Sequence, residues 1–226
     1  MRVKIHHEGT NILLVLFVVL VAINLPIWFY ADSVVLPIIM TSLGVVLFLL
    51  VVNFFRSPRR HFVGDLEHAV VASADGRVVA LEEVYEDEVL RCRCIQLSVF
   101  MSVFNVHANW FPVNGIVELA KHHKGRFQAA YLPKSSTENE RSTIVIRSEE
   151  GHRILVRQIA GAVARRIVTY AEKGDEANIE DHLGFIKFGS RVDIYLPLDT
   201  EIFVKIGDTT VGGISLIGKL KPKSDA

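Results

Sequence analysis

Cysteine is nearly missing from this chain: its 226 residues include two, Cys92 and Cys94. They alternate with arginine in a charged, strand-like stretch. One C-x-C pair with no second pair nearby excludes a disulfide scaffold and makes a poor zinc site. Both read as reduced thiols in a cytosolic compartment. Net charge is missing as well. The 25 Lys+Arg are balanced by 25 Asp+Glu, so nothing in the balance points to nucleic acid or another polyanion. No G-x-S-x-G elbow, Walker loop, H-E-x-x-H pair or Gly-rich dinucleotide fingerprint occurs, which leaves the usual hydrolase, NTPase, zinc-protease and dehydrogenase readings without support. Internal repeats and low-complexity tracts are also lacking.

What is abundant is apolar sequence, 50% of the chain, and its excess is concentrated at one end. Residues Ile12 to Tyr30 and Val34 to Phe55 are two long apolar runs, the first broken by Asn24 and Pro26. As helices rising about 1.5 Å per residue, each can cross a hydrocarbon core of about 30 Å. Only Ala31-Asp32-Ser33 separates them, so they read as a tight helical hairpin with Trp28 and Tyr30 as interfacial anchors. Arg2 and Lys4 precede it, and Arg56, Arg59 and Arg60 follow it. This bias places both outer ends, and the domain behind them, on the cytoplasmic side of the cell membrane. A cleaved signal peptide is disfavoured by the second span. A hairpin embedded in one leaflet stays open, given Pro26 and Pro37.

After Pro58 the sequence turns to short apolar runs punctuated by Gly, Asp-Gly and Pro, the pattern of a β-rich domain. Expected strands are Ala69 to Ser73, Gly76 to Val84, Glu88 to Leu97, Gly115 to Lys121, Ser142 to Arg147, Arg153 to Ile159, Val192 to Leu196, Glu201 to Ile206 and Thr210 to Lys219. One helix is expected at Gly161 to Lys173, where Val163, Ile167, Val168 and Ala171 recur at helical spacing. The fold expected is mainly β (α+β): a transmembrane or membrane-embedded helical hairpin, 1–55, then one β-rich, sandwich-like domain with few helices, 56–226.

Taken singly, the residues that could carry chemistry have plain alternatives. Asp75-Gly76 is first of all a hairpin turn. His107 closes an apolar run, where a lone histidine is more often structural. Gly189-Ser190 could be a bulge or a strand entry. Arg141, Arg165 and Arg166 could clamp a phosphate or form a solvated, ion-paired face. Lys121 to Lys124, with two histidines between, could face anionic lipid or be mere surface.

Taken in order, they form a set. ADG (Ala74 to Gly76), SVFMSVFNVHANWFPVNG (Ser98 to Gly115), ENER (Glu138 to Arg141), GAVARRIV (Gly161 to Val168) and GFIKFGSRVDIYLP (Gly184 to Pro197) together resemble the short bacterial form of phosphatidylserine decarboxylase. The resemblance runs from about Ser57 to the C-terminal region, and the leading hairpin is similar too.

That resemblance implies a zymogen that cuts itself between Gly189 and Ser190, giving a β chain (1–189) and an α chain (190–226). Ser190 becomes a covalent pyruvoyl group, which forms a Schiff base with the serine amine of phosphatidylserine; neither metal nor pyridoxal phosphate is implied. His107 is the expected base and acid, and Asp75 the residue that orients it, in the triad style. Arg141, Arg165 and Arg166 become candidates for the lipid phosphate. The implied partners are phosphatidylserine in the membrane and the two halves of the chain as a heterodimer, with room for a homo-oligomer and no nucleic acid. Two departures stand out: Phe104 occupies the place of a second histidine, and Arg191 that of a hydroxyl residue after the cleavage-site serine. The competing reading is a non-enzymatic, membrane-anchored biotinyl or lipoyl-like β domain acting as an adaptor, because VVASADGRVVAL and VKIGDTTVGGISLIGKL resemble its half-motifs. It leaves the His107 and Gly189-Ser190 blocks unexplained.

Overall fold

The computed structural model describes residues 3–125, 139–161, 166–187 and 190–222. They divide into two compact units, Met1–Arg59 and Arg60–Ala226. In the first, β1 (Val3–Ile5) precedes α1 (His7–Tyr30), and α2 (Val35–Phe54) leads into β2 (Arg56–Pro58). β1 and β2 pair antiparallel, Ile5 against Arg56, so the outer ends of the hairpin are held side by side. At 24 and 20 residues both helices are long and apolar enough to cross a membrane. Leu14, Phe17, Leu36 and Ile38 are among the many apolar side chains they leave exposed, an arrangement suited to lipid rather than water. Three polar side chains inside the spans bond to each other or to backbone. Trp28 Nε1 donates to Thr41 Oγ1 at 3.0 Å, Thr41 Oγ1 to Asn24 Oδ1 at 3.1 Å, and Asn24 Nδ2 to the Leu20 carbonyl at 2.8 Å, which ties α1 to α2 where water is excluded.

The second unit is built of strands: β3 (Ala69–Val71), β4 (Gly76–Glu86), β5 (Cys92–Met101), β6 (Ala108–Trp110), β7 (Gly115–His123), β8 (Arg141–Ser148), β9 (Arg153–Ala160), β10 (Arg166–Thr169), β11 (Glu176–Ala177), β12 (His182–Lys187), β13 (Ser190–Leu196), β14 (Glu201–Ile202), β15 (Thr209–Thr210) and β16 (Leu216–Lys219). A curled half-barrel sheet of order β11-β7-β8-β9-β13-β5-β4-β15 carries the fold, and two three-stranded sheets, β10-β12-β6 and β14-β16-β3, accompany it. The expectation of apolar helices followed by a mostly β domain is thus met.

β13 shows how sequence dictates place. All seven of its residues are buried because it lies between β5 and β9, paired antiparallel to both. Val192, Ile194 and Leu196 join Leu97, Val99, Ile144, Ile154 and Val156 in the main core, as the two-residue period of a strand requires. The other face carries Arg191, Asp193 and Tyr195. Arg191 Nε lies 2.8 Å from Asp193 Oδ1, so these charges are buried as a pair.

Three expectations are corrected. Arg166–Thr169, placed inside a helix by the spacing of its apolar residues, is strand β10, with Ile167 opposite Ile186 of β12. Four residues are too few to tell a strand from a helical stripe until the partner strand is present; the preceding residues 162–165 lie outside the described set. Asp75-Gly76 is not a hairpin turn but a passage between sheets, since β3 pairs with β16 while β4 pairs with β5 and β15. Gly76 is required there by close approach: a Cβ would lie 2.1 Å from the Phe100 carbonyl oxygen. The run Thr210 to Lys219 is interrupted at Gly212-Gly213, where φ of +68° at Gly213 turns the backbone against the Trp110 ring.

Candidate active site

Register gathers the chemistry-bearing residues at one end of the eight-stranded sheet. Ser190 opens β13 opposite Met101, the last residue of β5, and Ala160, the last of β9. Asp75 immediately precedes β4 at that end, since Arg77 pairs with Phe100. His107 lies between β5 and β6, and its carbonyl accepts from the Ile186 amide at 3.1 Å, four residues ahead of Ser190. The three residues of the expected relay, separated by up to 115 positions in the chain (190 − 75), therefore share one end of the fold. Gly189 lies outside the described residues.

Ser190 is fully buried, and its hydroxyl donates to Met101 Sδ at 3.2 Å. His107 is fully buried too. Its Nδ1 stands 3.0 Å from the Asn105 carbonyl. A carbonyl only accepts, so Nδ1 carries the hydrogen and, in the neutral ring, Nε2 keeps its lone pair. That is the tautomer a general base needs.

The Asp75 carboxylate is held by Arg60, whose Nη1 and Nη2 donate to Oδ1 and Oδ2 at 2.5 and 2.8 Å, and by the Gly212 amide at 2.9 Å. Arg60 also donates to the Gly212 carbonyl at 2.6 Å and stacks 4.3 Å over the Trp110 ring. The Trp110 amide in turn donates to the Ser73 carbonyl at 2.9 Å, which ties the strand after His107 to the segment before Asp75. His107 Nδ1 thus bonds the Asn105 carbonyl, and the Asp75 carboxylate bonds Arg60 and the Gly212 amide on the neighbouring segment.

Comparison with known proteins decides the family. The phosphatidylserine decarboxylase family model matches residues 47–218. The chain is 53% identical over 220 residues to the phosphatidylserine decarboxylase proenzyme of Phocaeicola vulgatus, covering 97% of this chain and 96% of that protein. It is 53% identical to that of Parabacteroides distasonis, over 96% of this chain and 99% of the relative, and 43% identical to that of Cytophaga hutchinsonii, over 95% and 98%. The chain belongs to the phosphatidylserine decarboxylase family. It is by that membership a lyase made as a zymogen.

In this decarboxylase the expected arginines are placed apart. Arg141 is buried and paired to Glu88 at 2.5 Å. It lies on the sheet face opposite to Ser190, because it is cross-strand to Ile159 and Ile159 to Arg191. Arg166 is exposed at the start of β10, across from Lys187. Arg165 lies outside the described residues. Reading the sequence missed a polar chain on the Ser190 face. Gln158 Oε1 accepts from Ser142 Oγ at 2.8 Å and Thr169 Oγ1 at 3.1 Å, and its Nε2 donates to Asn109 Oδ1 at 2.8 Å. Asn109 Nδ2 points to Met101 Sδ at 3.5 Å. The available signal was the polar pair itself, Ser142 and Gln158 at core-facing positions of otherwise apolar strands.

Arg157 organises the other sheet face, bonding Glu86 at 2.6 Å, Glu88 at 2.7 Å and the Tyr195 hydroxyl at 3.2 Å. Burial, with Asp193 adding, pushes the Tyr195 phenol well above its ordinary range, so it stays protonated beside Arg157. Burial also pushes the Cys94 thiol up to about 11, which leaves it inert.

Proposed function

We propose that this decarboxylase matures by cutting itself between Gly189 and Ser190, and that the mature site converts phosphatidylserine to phosphatidylethanolamine at the membrane surface. The observation that carries the reading is the convergence of Ser190 and a buried His107, in its Nε2-basic tautomer, at one end of the central sheet. Ser190 Oγ attacks the Gly189 carbonyl carbon as Nε2 of His107 takes the hydroxyl proton, and the amide becomes an ester once the proton is returned to the Ser190 nitrogen. Removal of the Ser190 Cα proton then expels the Gly189 carboxylate. The resulting dehydroalanine hydrolyses to a pyruvoyl group and ammonia.

The residues present fit that group. Serine supplies the β-oxygen that elimination needs, and ladders to β5 and β9 hold residue 190 in the sheet whether or not it is joined to residue 189. The pyruvoyl group supplies an electron sink for loss of carbon dioxide. His107 is the group placed to give and take protons in that step. Asp75 supports it through the Arg60, Gly212 and Trp110 contacts that fix the adjoining segments. Arg166, at the start of β10, and Arg165, the residue before it in the chain, are the candidates for the lipid phosphate, with Arg141 a weaker one given its pairing to Glu88. Residues 1–55 anchor the enzyme in the bilayer as a hairpin, with residues 56–226, the catalytic domain, on the cytoplasmic side, so that substrate need not leave its leaflet. The two cleavage products, 1–189 and 190–226, stay together as a heterodimer because β13 is central to the sheet.

Intact mass of the purified protein beside Ser190→Ala tests this. The expected result is two chains divided after Gly189, the smaller without a free α-amine, and a whole variant. A wild type that stays one chain in phosphatidylserine vesicles and releases no carbon dioxide would favour the adaptor reading.

A further inference from the structure

A chain of buried polar contacts ends on the Ser190 hydroxyl. Gln158 anchors it from β9: Oε1 accepts from Ser142 Oγ and Thr169 Oγ1, and Nε2 donates to Asn109 Oδ1 at 2.8 Å. Room for that amide is left by Gly184, which pairs with Asn109 across β12 and β6. A Cβ there would lie 2.6 Å from Gln158 Nε2 and 2.5 Å from the Val168 carbonyl oxygen. With Oδ1 engaged, Asn109 presents Nδ2 to Met101 Sδ at 3.5 Å, and the same sulfur accepts from Ser190 Oγ at 3.2 Å. Ser190, Met101, Asn109 and Gln158 are all fully buried.

Chemistry fixes the direction of the chain. A thioether sulfur accepts and does not donate. Turning the Asn109 amide over would set Oδ1 against that sulfur, acceptor against acceptor, so Nδ2 is the atom that faces it. Methionine has three rotatable side-chain bonds and adapts readily to its surroundings. Two donors on one sulfur engage both lone pairs and so fix the orientation of the thioether. While the Ser190 proton is turned to the sulfur, it is not offered to His107 Nε2, the atom that must take it for self-cleavage to begin.

We propose that Asn109 is a positioning residue for self-cleavage: by holding the Met101 sulfur, it sets the resting direction of the Ser190 hydroxyl. This rests on the reading of Ser190 as the reacting residue. Asn109 acts through the sulfur, not on the reacting atoms.

The thioether gives a readout that needs no turnover. The chain has three methionines, Met1, Met40 and Met101, so the Met101 methyl is assigned in a carbon-13 spectrum of the full chain in detergent by its loss in Met101→Leu. Its shift separates a thioether held in one rotamer from one that averages over several. Ser190→Ala stays whole and lacks the hydroxyl. Its Met101 methyl is expected to show one rotamer, because Asn109 still holds the sulfur, and adding Asn109→Leu should move it to the averaged value. Where that pair fails to fold, Asn109→Ser, too short to reach the sulfur, replaces it. An averaged methyl in Ser190→Ala alone overturns the proposal, and so does one rotamer that persists without the Asn109 amide.

A second arm is a double-mutant cycle on self-cleavage, followed by gel. With Ser190 in place, Asn109→Leu should cleave about two- to tenfold faster than wild type, the worth of one neutral hydrogen bond. In a Met101→Leu background the same substitution should add nothing, since the group it acts through is gone. Slower or unchanged cleavage, or an equal fold-change with and without the sulfur, overturns the proposal. Failure of the wild type itself to cleave would sink the pyruvoyl reading and leave the methyl result standing, so the two are distinguishable.

Discussion

Arg60 grips Asp75 with both Nη atoms, at 2.5 and 2.8 Å, while its guanidinium stacks on Trp110. The pair is buried, with side-chain exposures of 4% and 13%, and removing one partner strands the other. Arg60→Leu is expected to cost about 3–5 kcal/mol and to slow self-cleavage, because Asp75 and Trp110 lose their common support. Arg60→Lys keeps the charge without the fork or the stacking, and should fall between the two. Denaturant unfolding in a Ser190→Ala background, where the chain stays whole, measures the stability. An Arg60→Leu protein as stable as its parent would contradict the assignment.

Met101 faces Ser190 across the ladder and takes its hydroxyl proton direction with a weak acceptor, the thioether sulfur. Met101→Leu conserves volume and should cost less than about 1.5 kcal/mol. With the sulfur gone the hydroxyl is released toward His107, so self-cleavage should quicken. A time course of chain division by gel would reveal the change. Slower cleavage at full stability would instead make the sulfur a positioning contact for Ser190.

Gln158 joins four strands through Ser142, Thr169 and Asn109. Gln158→Leu leaves these buried groups without a partner at about 1–3 kcal/mol apiece. A loss of about 3 kcal/mol lowers Tm by roughly 6–12 °C in a domain of this size. Gln158→Glu should recover part of it, since a carboxylate still accepts from Ser142 and Thr169. Calorimetry on the uncleaved background reads both.

For the Glu86 carboxyl, burial alone would raise the pKa, but the amides of Val89 and Leu90 and the Arg157 guanidinium outweigh it and hold the group below its ordinary value of 4.5. Stability from a depressed carboxyl is whole above that ordinary value and is lost as pH falls through the lower, folded one. The Tm gap between wild type and Glu86→Gln should therefore stay constant from about pH 7 down to about pH 5 and close below about pH 4.5. A gap independent of pH would refute this account of Glu86.

Much of this fold was legible in the residue order because its long strands are regular. β4, β7, β8 and β9 alternate or run apolar between Gly and Asp-Gly punctuation, and the expected bounds differ from the observed ones by a residue or two. β6, β10, β11 and β15, of two to four residues, carry no period of their own and are fixed by the strands they pair with, β12, β7 and β4. Ile167 and Val168 were credited to a helix for that reason. At the site, the motif order named Ser190, His107 and Asp75, yet not who touches whom. Arg60 follows a proline amid other basic residues with nothing to mark it, and only the folded passage between sheets brings it to Asp75. Nothing in the residue order marks Asn105, whose carbonyl determines the His107 tautomer.

The place of β13 bears on how the mature enzyme dies. Cleavage after residue 189 would leave a 37-residue piece (226 − 189) whose first strand separates β5 from β9 and whose later strands pair with β4 and β3. The intact precursor can refold as one molecule. The divided enzyme must find its missing strand by diffusion and insert it into the middle of a sheet. Maturation should therefore make unfolding a one-way event, with recovery rising as concentration rises, and the working life of the enzyme is governed by how slowly it opens rather than by how favourably it folds.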